Sequence, residues 1–385
     1  MLKTLLRIVG LLLGLLAVAV LVIGFWPVAP DVPSVGLGGK AGAPAAPTAP
    51  DLRGTGQIIV VNPGDSIQAA VDQAQPGDTV RVMPGLYQET VLVDVDSLTI
   101  EGVVDGDRRA RLDGQGQEAN GILGIGDYFT VTGLHITDYT SNGVTTQGVT
   151  GPIFRDLILE RTGSYAIFPI LSTDVLIEHN VGFGVNDTAF YVGQSRGIVV
   201  RDNEAFGNVA GIEIENSVDA LVENNYTHDN TAGILVFILP GKTATEGSNT
   251  RIVNNRIENN NLPNFSLPEM TVNTAPDGTG LLIMSADNTE VKGNTFSGNR
   301  SFAVAIAAIS DFPEFFGRPE GGWDIPVLPE GNWIHDNTYI NNGYAPDPEV
   351  VQAGFIGADL LWSTSGADNR WGFFGNCRAS RHLWG

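Results

Sequence analysis

The stretch from Asp174 to Asn230, DVLIEHNVGFGVNDTAFYVGQSRGIVVRDNEAFGNVAGIEIENSVDALVENNYTHDN, repeats one phrase three times, as VLIEHN, IVVRDN and ALVENN. In each, alternating apolar residues run into an amide at a bend, Asn180, Asn203 and Asn225, and a further short strand follows. Gly133 and Asp156 occupy the bend in the two preceding repeats, so the steps are 23, 24, 23 and 22 residues. A period near 23 with period-2 alternation and no 3.6-residue pattern predicts coils of three short parallel strands stacked into a parallel β-helix solenoid. Asn255, Asn294 and Asn337 continue the row at wider steps. A second row recurs five residues on, at Asn208, Asn230, Asn260, Asn299 and Asn342. Asn tolerates left-handed backbone angles at bends, and amides stacked coil over coil hydrogen-bond along the axis, each worth about 1 kcal/mol net. Both rows are therefore read as structural.

The third strand of each coil reads AIFPILS, AFYVGQS, GIEIENS, GILVFIL, GLLIMSA and AVAIAAI. Alternation sends Ile167, Phe190, Val192, Ile212, Ile214, Ile234, Val236, Leu281 and Ile283 inward. It leaves Phe168, Tyr191, Gly193, Glu213, Glu215, Leu235, Phe237, Leu282 and Met284 outward, a face unusually apolar for a solvated sheet. Insertions at 240–250, 262–279 and 311–331, the last carrying Phe312, Phe315, Phe316 and Trp323, flank this strand and are placed to wall it in.

Outward from the repeats, the chain divides simply. QIIVV at 57–61 is a strand pattern, and Ile67, Ala70, Val71 and Ala74 form one stripe of a short helix ended by Pro76-Gly77. This helix is expected to cap the first coil. Residues 8–26 carry no charge, follow Lys3 and Arg7, and end in Phe25-Trp26-Pro27, which predicts an uncleaved transmembrane signal anchor. The positive flank keeps residues 1–7 cytoplasmic and puts the rest outside, in the periplasm or at the cell surface. A Pro/Ala/Gly spacer fills 27–56, the β-helix is expected over 57–365, and the tail 366–385 shows no further coil.

Composition narrows the function. With 43 acidic against 21 basic residues, a formal charge of -22, nucleic acid is excluded as a partner. The single Cys377 rules out an internal disulfide framework. His179, His228 and His335 lie at or beside separate bends and read as structural. Glu178, Arg201 and Glu223 fall at matching positions on three coils, a surface charge ladder. Four Asn-x-Ser/Thr sequons, at Asn186, Asn225, Asn264 and Asn299, overlap the ladder rows at Asn225 and Asn299.

The opening NPGDSIQAAVDQAQPGDTVRVMPGLYQE and the Asn row resemble the cap and ladder of the pectate-lyase-like superfamily, which implies an all-β, right-handed parallel β-helix with an N-terminal capping helix. Within it, SYAIFPILSTDVLIEHN through FYVGQS, VAGIEIENS and GILVFILPG are similar to an exported family of parallel β-helix repeat proteins of uncharacterised activity. Members are commonly encoded beside a second exported protein. The resemblance spans about 57–342 and implies that any site lies on the outer face of the third strand, where Tyr191, Glu213 and Glu215 fall.

Glu213 and Glu215, two apart on one strand, point the same way about 7 Å apart. With Asp187 in the preceding turn they form a candidate calcium set, and with Tyr191 and Phe237 a candidate surface for a polysaccharide or a protein partner. The plainer reading is two exposed acids on an acidic protein. Where alginate C5-epimerases carry a YGxDPH-type motif, this chain has Tyr165 to Ile170 with Phe168 and Ile170 in place of the Asp and His, so that chemistry is not carried over. The NTD, DD, GHG and RIK runs of polygalacturonases and an RxPxxR lyase pattern are also absent. Two functions stay open: an extracytoplasmic scaffold binding a partner protein or polysaccharide on this face, or a carbohydrate-active lyase or epimerase, calcium-dependent if the acids hold a cation.

Overall fold

The computed structural model describes residues 56–372, apart from 318, 320–321 and 364–365, together with 379–381. The anchor, most of the spacer and Cys377 lie outside these residues. Among the described residues no helix is long and apolar enough to cross a membrane.

Short strands recur three to a coil and pair only with their counterparts in the coils above and below, giving parallel sheets of 12, 10 and 11 strands. This is the right-handed parallel β-helix expected. Its first strand, Ile58–Val61, pairs with Thr79–Val82. Between them the helix Ile67–Val71 buries Ile67, Ala70 and Val71 against the end of the first coil. Ser66 caps it by accepting from the Ala69 amide, and Glu89 accepts from the amides of Ile67 and Gln68 at 2.7 and 3.1 Å. The first-turn donors are thus satisfied from inside the fold.

The interior is a set of stacked rows. Ile167, Phe190, Ile212, Ile234, Leu281, Val304 and Leu360 follow one another in register on the third sheet, all buried. Each contributes roughly 1.5–3 kcal/mol by leaving water. Strands continue into the predicted tail: Arg370–Trp371 extends the 12-stranded sheet and Ala379–Arg381 the 11-stranded one.

The bend differs from the sequence reading in one detail. The left-handed residue is the one before each ladder Asn, at His179, Asp202, Asn224, Asn254, Gly293 and Asp336, and these align with Gly133 and Asp156. The residues equivalent to Asn180 are therefore Leu134 and Leu157, which restores even steps of 23 residues there. Turning the backbone with the preceding residue frees the Asn side chain to point into the coil. Asn203 Nδ2 donates to Ile177 O and to Asn225 Oδ1, both at 3.0 Å, while its backbone N–H donates to that same Oδ1. The pattern repeats from Asn180 through Asn337, and the second row ends by donating to Asp359. Asn225 and Asn299 are fully enclosed, so neither can carry a glycan in the folded protein.

A third corner is closed by hydroxyls: the amides of Ser172 and Ser195 donate to the next coil's Ser Oγ at 3.0 Å. The Glu178 ladder also forms, with Arg201 at 2.6 Å and Arg155 at 3.4 Å; Glu223 is in register with Arg201.

Asn225→Ala is expected to leave the buried Asn203 N–H without an acceptor and its Nδ2 with Ile177 O alone, and to lower the unfolding free energy by about 2–4 kcal/mol. Urea denaturation of variant and parent measures this, with Thr338→Ala on the exposed side of its strand as a control near zero.

Candidate binding face of the third sheet

The outer row of the third sheet runs Tyr191, Glu213, Leu235, Leu282, Ala305 and Leu361 in register, with Gly193, Glu215, Phe237, Met284 and Ala307 beside it. Alternation places these side chains outward, as the sequence predicts. They are nonetheless out of solvent: Tyr191, Glu213, Glu215 and Phe237 are 2–4% exposed. The reading of exposed acids on a solvated sheet is corrected here, because the coil's insertions fold back across this face.

The insertions are held by named contacts. Asn216 grips the first, accepting from the Leu239 amide and donating to Leu239 O and Ala244 O, and Gln194 accepts from Thr243 and Ala244. Asn264 staples the second by donating to Val272 O and Ala275 O. Asp324 of the third accepts from Gly241 of the first at 2.9 Å. A fourth wall is one the repeat pattern does not predict: residues 344–357, with helix Pro348–Gln352 capped by Asp347, bury Val350 and Phe355 against Phe302, Ala305 and Leu361. Its signal was in the sequence, since Asp347-Pro348-Glu349 ahead of Val350 is a helix-start pattern.

Beneath these walls the face divides in two. On the earlier coils is a polar nest under an aromatic cluster, Tyr165, Phe168 and Tyr191, with ring centroids 4.5–5.0 Å apart. Gly193 leaves free the space that the Tyr191 hydroxyl occupies, and burial, then the charges of Glu215 and Glu213, push that hydroxyl up. Lys242 of the first insertion reaches Glu215 at 3.1 Å. Thr188 Oγ1 lies 2.7 Å from Glu213 Oε2 and 2.9 Å from Asp187 Oδ1. A hydroxyl has one proton to give, so one of these two carboxyls must donate its own to make both contacts. Burial accordingly lifts the Asp187 carboxyl to about 6, held back by hydrogen bonds from Thr188 and Tyr165. Burial, and then the charges of Asp187 and Glu215, push Glu213 well above the usual range, while Thr188 and Lys242 oppose the shift.

The structure thus places Asp187, Glu213 and Glu215 on one covered patch, Asp187 and Glu213 linked through Thr188 and Glu215 paired with Lys242. Calcium takes six to eight oxygens, and a carboxyl that keeps its proton is a poor ligand for it. Among the described residues no group of three or more His, Cys, Asp or Glu is placed to hold a metal ion. His135, His228 and His335 each face a carboxylate of their own, Glu160, Glu204 and Glu290, on separate coils.

On the later coils lies an apolar cavity of about 370 Å3. Leu235, Phe237, Leu282, Met284, Phe302 and Ala305 form its floor, and Val272, Ala275, Phe312, Phe316, Val350 and Phe355 its walls. Glu213 and Glu215 are in register with Leu235 and Phe237, so the nest and the cavity floor are adjacent.

Fold and covered face define the chain as a right-handed β-helix protein of the pectate-lyase-like kind. More narrowly, it belongs to the family described as periplasmic copper-binding protein (NosD), whose model matches residues 128–369, and it is an extracytoplasmic protein. Among solved structures it is similar to an alginate lyase from Paenibacillus sp. str. FPU-7, at 16% identity over 74% of this chain and 95% of that one, TM-score 0.53. It is also similar to the A-module of an Azotobacter vinelandii mannuronan C-5 epimerase, at 12% identity over 85% and 87%, TM-score 0.52. A DFA-IIIase mutant from Arthrobacter chlorophenolicus A6, in complex with DFA-III, matches at 16% identity over 79% and 87%, TM-score 0.52. At such identities the likeness is one of fold. No match is found among curated proteins.

The raised carboxyls set a pH dependence. An acid whose pKa is higher in the fold than in the unfolded chain gives stability that is full below the unfolded value, near 4, and is lost as pH rises through the folded value. For Asp187 that loss runs through about pH 6, and Glu213 extends it upward. Glu213→Gln, which mimics the protonated acid, is expected to raise Tm by roughly 2 °C or more at pH 8 and by less at pH 5. Differential scanning calorimetry across pH 4.5–8.5 checks this (the range is roughly the titration window); a gain that is the same at every pH contradicts it.

Proposed function

We propose that this chain is a membrane-tethered extracytoplasmic binding protein that takes an apolar ligand into the covered face of its third sheet. One observation carries the reading. Insertions from several separate coils converge on this one face and enclose a cavity of about 370 Å3, within the 300–1,000 Å3 of ordinary ligand sites. The β-helix serves as the rigid floor and the insertions as the walls. The tether is residues 8–26, whose positive flank orients the fold outward.

The other readings fit less well. An apolar strip that docks a protein partner has to be open, whereas Leu235 and Phe237 are covered by the chain's own loops. A lyase or epimerase acting on a polymer gains an acid–base element in the raised carboxyls of Asp187 and Glu213. It needs a groove that admits a sugar chain, and these groups are 3% exposed. Copper, in the family's description, is bound by imidazole, thiolate and thioether ligands. His135, His228 and His335 lie on separate coils, each beside a carboxylate, and His179 turns the backbone at another bend, so the described histidines do not compose such a site and copper has no part in the function proposed.

Photolabelling tests the reading. With the full chain in lipid nanodiscs, an uncharged alkyl diazirine is expected to label the Phe302–Ala307 and Pro348–Gln352 segments. Ala305→Trp, which fills the floor, is expected to abolish that labelling while Tm is held or raised. Labelling confined to residues 8–26, or unchanged in a folded Ala305→Trp, overturns it.

A further inference from the structure

The cavity is apolar throughout except where two short helical segments meet its edge. Thr271 and Thr274 come from the turn Thr271–Thr274 in the second insertion, and Glu349 and Gln352 from the helix Pro348–Gln352. Thr271, Glu349 and Gln352 are exposed, while Val272 and Val350, from the same two segments, are buried inside. An apolar interior with a polar lip at one edge suits an amphiphile, whose tail is buried and whose head stays wet.

The lip also carries a sign. Arg300, the nearby cation, is already engaged by two acids, Asp277 at 2.7 Å and Asp347 at 3.6 Å. Glu349 makes no ion pair among the described residues, and the chain as a whole carries -22. A carboxylate or phosphate head is repelled at this edge, and an ammonium head is attracted. Size sets a third bound. At about 30 Å3 for each water-sized group, the interior holds on the order of a dozen methylene-sized groups.

We propose that the cavity binds a single-tailed cationic amphiphile, an alkyl amine or quaternary ammonium with its tail on the floor of Phe237, Met284, Phe302 and Ala305 and its head at Glu349. This rests on the reading of the cavity as the ligand site and adds the chemical class of the ligand. The floor supplies dispersion contacts along the tail, with Met284 and the Phe rings adapting to its shape. Glu349 selects among heads and contributes little to the fold, because its side chain stands at the surface.

Three diazirine probes with the same tail of about twelve carbons and a trimethylammonium, a hydroxyl or a carboxylate head separate the claims. They are applied to the full chain in uncharged-lipid nanodiscs, and labelling of the Phe302–Ala307 segment is counted by mass spectrometry. The ammonium probe is expected to label roughly fivefold more than the carboxylate probe, with the hydroxyl probe between. Glu349→Lys is expected to invert that order, and Ala305→Trp to remove all three signals. If the three heads label equally, or if Glu349→Lys leaves the order unchanged, the cationic-head assignment fails and the cavity reading stands. If none of the probes labels this segment, both fail.

Discussion

From Asn180 to Asn337, each coil of this molecule is fixed to the next by a buried amide that makes several hydrogen bonds at once. Asn225 accepts from both the backbone and the side chain of Asn203 and donates to Val200 O and to Asn255 Oδ1, inside a core of Ile, Val and Phe. In that setting an unsatisfied donor costs about 1–3 kcal/mol, so neighbouring coils can shift neither in register nor apart without losing these bonds together. The consequence reaches beyond stability. Because the ladder pins the corners, strands of the third sheet lie in strict register, and residues a whole coil apart in the chain become neighbours on one face. The cavity floor is made from such neighbours.

On that rigid floor the insertions decide chemistry. They turn an outward row into an interior one, and water leaves a surface that still carries Asp187, Glu213, Glu215, Tyr165 and Tyr191. Desolvation then dominates: it raises the carboxyls of Asp187 and Glu213, and the single Thr188 hydroxyl lies between them. Lys242 offsets one of the three acids. The same covering encloses an apolar surface on the next coils, since Leu235, Phe237 and Met284 follow the acids in register. Polar nest and apolar cavity are two outcomes of one event, the closing of loops over a sheet face.

Much of this was legible, and the misreadings are local. The bend was assigned to the ladder Asn, when the left-handed residue is its predecessor; both are often Asn or Asp here, as in Asn224-Asn225, and the sequence pattern does not say which turns the chain and which points inward. The acids were read as exposed because two Glu on an outward row normally meet water, and nothing within Ala210–Glu215 reports what loops far along the chain will cover it. The wall at 344–357 is not legible in the repeat pattern because its helix, Pro348–Gln352, is short and its apolar residues, Val350 and Phe355, follow no long periodicity.

What the sequence by itself determined is the coil: a period near 23, an inward and an outward row on every strand, amide rows at the corners, and the one face beside which insertions accumulate. These follow from short-range rules, the period-2 alternation of a strand and the backbone preferences of Asn, Asp and Gly. Only the tertiary structure decided that the outward row is buried, that Asp187 and Glu213 meet across the Thr188 hydroxyl, and that an apolar cavity opens beside them. Each of those depends on contacts such as Gly241 with Asp324 or Val350 with Phe302, between segments whose separation no local pattern encodes, and on the loss of water that such contacts bring.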